Sequence, residues 1–412
     1  VPAGAIALVP LLWLFVSFTA KPLHPEVEMV PTVKGAAPAA KWASAVELAQ
    51  RAVRASVAEQ NLPGLSVAVG LDGEVVWAEG FGLADLPRNV QVTPEHKFRI
   101  GRLSEALTSA AAGLLLEGGK LKLEDEIQSY VPKFPRKDVT LGQLMAHNPG
   151  TVPDDNDEGA LYRKHCGRPA ELLEHYSHSW FTDVDGVRDS VYDYVLVSAA
   201  IEAAAGKPFL EFIRERVFEP VGMPGTVADT EVIDFEGEDF PPFIMIRELI
   251  YDPTARRGSG AVPKDVKQDR AMPYVPRMGS NPKRGMHSAR MFDLSCYAGA
   301  SVFVSTPSDL VRFGMAMQTG KLLKPATVQL LQAPQSVQGE RGIAMGWEVT
   351  EATLAGKKTQ VVGLNGRLFG GQVASLMTFP RPGMVVAVTS NISHADTASI
   401  GVKVAEIFAS QR

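Results

Sequence analysis

The chain opens with VPAGAIALVPLLWLFVSFTA, residues 1–20, which carry no charge; the first is Lys21. An apolar run of about 20 residues is long enough to cross a bilayer as a helix, whereas the core of a secretory signal needs only about 7–15. The pattern therefore predicts a transmembrane anchor over 1–20, kinked at Pro10. Residues 21–42, rich in Pro and Ala, show no period and read as a linker. Val46, Leu48, Ala49, Ala52, Val53 and Val57 are then apolar, predicting an amphipathic helix over 43–59. Leu65, Val67 and Val69 alternate instead, turn at Leu71-Asp72-Gly73 and return through Val75 to Ala78, which predicts a β-hairpin. Leu103, Leu107, Ala110, Ala111, Leu114 and Leu115 recur at helical spacing up to Gly118-Gly119, predicting a buried helix. Near the end, Pro307 opens a helix capped by Ser305 or Thr306, Val385 to Val388 form a strand, and Ala395 to Ser410 form a closing helix.

Composition narrows the function classes. With 412 residues, 45% of them apolar, the chain buries a substantial core and exceeds one minimal domain. A net charge of −5 gives no basic face for nucleic acid. Cys166 and Cys296, far apart in sequence, make neither a disulfide framework nor a zinc site by themselves and are expected to be free thiols. His165, His175 and His178 lack metal-ligand spacing and read as surface residues, so no metal or cofactor is expected. Residues 230–292 are loop-rich, acidic first and then basic. They read as a solvated surface, or else, with Tyr251, Met272, Tyr274 and Met278 interleaved, as a docking surface for a partner or anionic lipid head groups. The Ser-x-x-Lys text at Ser280 to Lys283 contains Pro282, has no helical period around it and is a chance match.

Several stretches carry a family resemblance. FRIGRLSEALTSAAAGLLLEGGK, residues 98–120, resembles the F-R-I-[AG]-S-x-S-K-x-x-T opening of the central helix in penicillin-binding proteins and class C β-lactamases. The hairpin GLSVAVGLDGEVVWAEGFGLAD, the VTLGQLMAHNPG segment, the run from Tyr194 to Met223, the segment from Asp293 to Gly320 and the Met345-Gly346-Trp347 strand are similar to that family in the same order. The resemblance implies an α/β class C β-lactamase-like fold: an antiparallel sheet flanked by N- and C-terminal helices, plus a mainly helical subdomain. One domain over 43–412 would divide into an α/β part (43–100 and 293–412), a helical part (101–229) and the insertion (230–292).

The same resemblance locates the reactive positions, and this chain departs from the family at each of them. The nucleophilic Ser is replaced by Arg102, and the Lys one turn later by Glu105. The Tyr that shuttles protons is replaced by Asp189, with Ser190 kept and Val191 third; Tyr192, three residues on, is no substitute. The edge-strand triplet that begins with Lys or His is Leu364, Asn365 and Gly366. A guanidinium has no lone pair with which to attack a carbonyl. The expected arrangement is Arg102 bridging Glu105 and Asp189, the alternative being an acidic pocket for a cation or basic ligand. His147 is expected to be structural, bonding backbone at a helix end.

These departures predict a catalytically inactive domain, anchored through residues 1–20, that serves as an accessory subunit of a membrane protein assembly. Anchor plus domain resembles mitochondrial members of the family, implying the mitochondrial inner membrane, with the bacterial cytoplasmic membrane as the alternative home. Two other classes stay open: a hydrolase with a relocated nucleophile, Ser104 or Ser190, and a ligand-binding pseudoenzyme that keeps the cleft for recognition.

Overall fold

The structure, a computed structural model, describes residues 22–148, 165–175, 190–229, 269–276, 285–289, 291, 293–368 and 371–412. No helix among the described residues is long and apolar enough to cross a membrane; the expected span over 1–20 lies outside them.

The N-terminal part supplies β1 (Thr32–Lys34), α1 (Ala43–Glu59), β2 (Gly64–Leu71) and β3 (Glu74–Asp85). Asp72 and Gly73, at φ 55° and 86°, make the left-handed two-residue turn that joins β2 to β3, as the alternation predicts. The central helix is α2 (Ser104–Glu117), followed by the short α3 (Leu141–Met145) and by α4 (Val191–Ala205). The chain returns through α5 (Pro307–Thr319) and α6 (Pro325–Gln332), then β4 (Ser336–Gln338), β5 (Arg341–Ile343), β6 (Glu348–Leu354), β7 (Lys357–Leu368), β8 (Gln372–Phe379), β9 (Met384–Ser390) and α7 (Thr397–Ser410). The main sheet runs β1-β3-β2-β9-β8-β7-β6-β5-β4, antiparallel at every step. The N- and C-terminal segments of the domain thus meet inside the sheet, where β2 pairs with β9.

Two-residue alternation sorts the sheet's side chains into two cores. Leu65, Val67 and Val69 of β2, with Val386 and Val388 of β9, face α1 and α7, where Phe408 lies 5.9 Å from Trp42 and 6.1 Å from Trp77. Ala68, Val385, Ala387, Ala374 and Leu376 face the other way, toward Leu310, Val311 and Phe313 of α5 and the helical half. There α2 is buried on nearly every side, from Ser104 through Gly113, which is why its apolar pattern runs almost round the helix.

Three expectations change. The stretch 21–42, expected to be a linker, supplies β1 to the main sheet and buries Val30 and Trp42 in the core with α1 and α7. Cys166 and Cys296 are joined in a disulfide, their Cα atoms 4.8 Å apart despite a sequence separation of 130. The fold carries the segment Pro169–His175 beside the turn Ser295–Tyr297, a proximity that spacing along the chain does not encode. Met272 and Tyr274, expected on a surface, are buried in the core with α1 and α7, and the Tyr274 hydroxyl accepts the Leu86 N–H at 2.8 Å. The docking-surface alternative therefore loses these two side chains; most of the basic run lies outside the described residues.

Candidate functional site

The site is built on the entry to α2. A 3-10 turn, Gly101–Leu103, precedes the helix, with Gly101 at φ 52°, a left-handed conformation that costs glycine little. It rests against β7: a Cβ at Gly366 would sit 1.8 Å from the Ile100 carbonyl oxygen, and one at Gly101 would sit 2.8 Å from that of Arg367. The two glycines let helix entry and strand approach backbone to backbone. Gly366 thus keeps the family's residue for a packing reason.

From this turn Arg102 reaches in two directions. Its Nε lies 3.0 Å from Glu105 Oε2, and its Nη1 lies 3.3 Å from Glu348 Oε1 at the start of β6. Arg341 Nη1, on β5, meets that same Glu348 oxygen at 3.0 Å. Further in, Glu105 Oε2 is 3.3 Å from His147 Nε2, whose Nδ1 is 2.8 Å from Asp193 Oδ2. His147 follows α3 with φ 53°, a backbone that non-glycine residues adopt only when held, and here both ring nitrogens are held. Burial by itself would lower the basicity of this imidazole. The charge of Glu105 and the hydrogen bond donated to Asp193 outweigh it, and the pKa is pushed up to about 10. At neutral pH the residues Arg341, Glu348, Arg102, Glu105, His147 and Asp193 therefore alternate in sign along one chain of contacts. The chain runs inward from the surface: the Arg341 side chain is 48% exposed and that of Arg102 17%, while Glu105, His147 and Asp193 are sealed inside.

The remaining positions surround this chain. Leu364 is buried, pairs in register with Leu376 and joins the core of the helical half. Asn365 is exposed on the opposite face of β7. Ser104 has no exposed surface, and its hydroxyl oxygen has no hydrogen-bond partner. Ser190, just ahead of α4, is buried at 5% exposure, and Tyr192 at 4%. The Tyr194 hydroxyl donates to the Met145 carbonyl at 3.0 Å. Burial, then the Glu105 charge, hold that phenol well above its ordinary pKa.

Of the expected bridge, the Arg102–Glu105 arm is present, and Asp189 lies outside the described residues. Sequence reading missed Glu348 as the second carboxylate on Arg102 and missed Asp193 altogether. A signal existed for both: an acid directly after Trp347 at a strand start, and an acid between two tyrosines in an apolar helix, are placements a charge adopts only with a partner. His147, expected to bond backbone at a helix end, instead bonds two carboxylates through its ring. His165 is exposed as expected and its Nδ1 approaches Asp293 Oδ2 at 2.7 Å; the ring of His175 and all of His178 lie outside the described residues. Among the described residues, no group of three or more His, Cys, Asp or Glu could hold a metal ion.

Comparison with known proteins agrees with this layout. Residues 49–242 match the family described as Beta-lactamase. The chain is 25% identical over 402 residues to the serine beta-lactamase-like protein LACTB, mitochondrial, of Homo sapiens, covering 75% of this chain and 67% of that protein. Among solved structures it resembles FmtA from Staphylococcus aureus at a TM-score of 0.67 and 18% identity, over 93% of this chain and 94% of the other. It also resembles D-amino acid amidase from Ochrobactrum anthropi SV3 at a TM-score of 0.66 and 19% identity, over 88% of this chain and 99% of the other. At such identities the two structures speak for the fold alone. Fold, motif order and family match point the same way: the chain resembles the β-lactamase and penicillin-binding-protein family, whose model matches residues 49–242.

Proposed function

We propose that this domain is a catalytically inactive member of its family, anchored to a membrane through residues 1–20 and serving as an accessory subunit of a membrane protein assembly. The observation that carries the reading is the engagement of Arg102, at the nucleophile's position, with Glu105 and Glu348. Acyl transfer requires a nucleophile, a base to activate it and donors for the oxyanion. Here a guanidinium stands where the hydroxyl is needed, the adjoining lysine position holds a carboxylate, and Leu364 fills the cationic position with an apolar side chain. Losing a nucleophile together with its base costs several powers of ten in rate. Ser104 is a poor replacement, since it is sealed from solvent with no base in hydrogen-bond contact.

The likeness to a mitochondrial relative and the apolar run over 1–20 favour the mitochondrial inner membrane. The Cys166–Cys296 disulfide favours the domain's lying on an oxidising side of that membrane, since cytosolic thiols are kept reduced.

The chemical half of the reading is tested by incubating the purified protein with a fluorophosphonate and with a fluorescent penicillin, followed by intact-mass measurement. No adduct is expected; a covalent ester on Ser104, Ser190 or any other hydroxyl would overturn it. The other half is tested by detergent extraction of native membranes, where the protein is expected to co-purify with a complex in stoichiometric amount.

A further inference from the structure

The segment ahead of β1 is fixed to the body at two places. At the nearer one, Val30 is buried in the core with α1 and α7, and the Thr32 hydroxyl, at the start of β1, accepts a hydrogen bond from Arg54 Nη2 of α1 at 2.9 Å. The other lies upstream, where the Leu23 N–H donates to Asn61 Oδ1 at 2.7 Å and His24 is only 6% exposed. Between the two, Pro25, Glu26, Glu28 and Met29 are exposed. Residues 22–24 are thus a separate attachment, seated on Asn61 and Leu62 just past the end of α1. The His24 ring donates to the Leu62 backbone carbonyl, and its Nε2 is buried without a partner. Nδ1 is therefore the donor, and Nε2 of the neutral ring presents only a lone pair.

A proton added at Nε2 would create a charged N–H with no acceptor, on a ring cut off from water. No neighbouring charge compensates it. Glu26 and Glu28 on the segment itself, Glu59 at the end of α1 and Asp396 ahead of α7, whose N–H joins that turn to Gln60, are all exposed, and His394 meets the Ser393 hydroxyl; none of them pairs with His24. Burial outweighs the Leu62 hydrogen bond and holds the imidazole below its ordinary pKa of 6.5. The free side chain accepts a proton that the seated one resists, so the seat is at full strength above about pH 6.5 and weakens as pH falls below it. We propose that His24 is a pH-sensitive latch: neutral, it keeps residues 22–24 seated on the end of α1, and on gaining a proton it swings out and frees the segment as far as Val30. The opening stays local, because it gives up one buried ring and its few hydrogen bonds while β1 remains paired in the sheet. Where residues 1–20 anchor the chain, the latch also sets the reach of the domain: at most about 14 Å of extended chain separates residue 20 from a seated His24, and about 36 Å separates it from Val30 once the latch opens. The latch itself needs no membrane, so its test stands apart from that of the anchor.

The experiment is amide hydrogen exchange of the full chain in detergent at pH 7.5 and pH 5, each rate divided by the intrinsic rate for that pH. Protection of the peptide holding Leu23 should fall about tenfold or more between the two, while peptides from β2 and β9 keep theirs. His24→Gln, which can still donate to the Leu62 carbonyl and never titrates, should make that protection the same at both values. Equal protection of the Leu23 peptide at both pH values in the natural protein would overturn the proposal, as would a loss shared equally by β2 and β9, or a His24→Gln variant that keeps the pH dependence. Should His24→Gln leave residues 22–24 unprotected throughout, exchange of the imidazole C2 hydrogen in the natural protein decides: a His24 midpoint below its ordinary 6.5 supports the latch, and one at or above it overturns the latch.

Discussion

Arg102 Nε lies 3.0 Å from Glu105 Oε2, three residues further along the entry to α2. In the family that spacing joins a hydroxyl nucleophile to a lysine base; here it joins two opposite charges that satisfy each other.

Truncating Arg102 should therefore damage the fold. Arg102→Ala leaves Glu105 and Glu348 facing a space with one cation fewer, and a loss of about 3–5 kcal/mol is expected on breaking a buried pair. Chemical denaturation measures it. A double-mutant cycle with Glu105→Ala should return a coupling of about 1–3 kcal/mol; additive effects would show that the pair is not coupled.

Stability should fall as the solution becomes alkaline. The folded pKa of His147, about 10, is above its ordinary value of 6.5, so the proton is bound more tightly in the folded state. Its contribution is fully present below about pH 6.5 and is lost as pH climbs toward 10. The span corresponds to a few kcal/mol by order of magnitude. Denaturation midpoints at pH 6 and pH 10 should differ in the natural protein, and His147→Gln should remove most of the difference.

Gly366→Ala should be strongly destabilising although no side chain of the charge chain is touched. The added methyl would meet the Ile100 carbonyl oxygen at 1.8 Å, which forces the helix entry off the sheet. A cost of about 3 kcal/mol is expected from overpacking, and a variant melting within a degree of the natural protein would contradict the close approach.

The disulfide gives a fourth measurement. Reducing it, or replacing Cys166 and Cys296 by serine, should cost about 2–4 kcal/mol, since it closes a long loop in the unfolded chain. In membranes quenched with a thiol-alkylating reagent, both cysteines should be protected until a reductant is added. Labelling of either one without reductant would place the domain in a reducing compartment.

Local pattern carried much of the architecture. The β2–β3 turn, the Thr306 cap, whose hydroxyl accepts the Asp309 N–H at 3.2 Å, and the buried α2 are each written in residues close in sequence. The reactive positions were legible as departures from a motif, because a motif fixes which residue stands where. What they contact was not legible. Glu348 is 246 residues from Arg102 and Asp193 is 46 from His147, separations at which only the assembled sheet and helices decide proximity. The cysteines were misjudged for the same reason, as two lone thiols carry no period or spacing to show that the chain folds back between them.

The alternation of sign from Arg341 inward to Asp193 also constrains how this sequence can change. Swapping Arg102 alone for a serine strands Glu105 and Glu348 with one cation fewer, and swapping Glu105 alone for a lysine sets a second cation beside Arg102 and removes the carboxylate that holds the His147 proton. Each such single replacement is thus less fit to fold than the natural sequence. Arg102, Glu105, Glu348 and His147 can therefore change only in concert, so these positions are entrenched by their own electroneutrality.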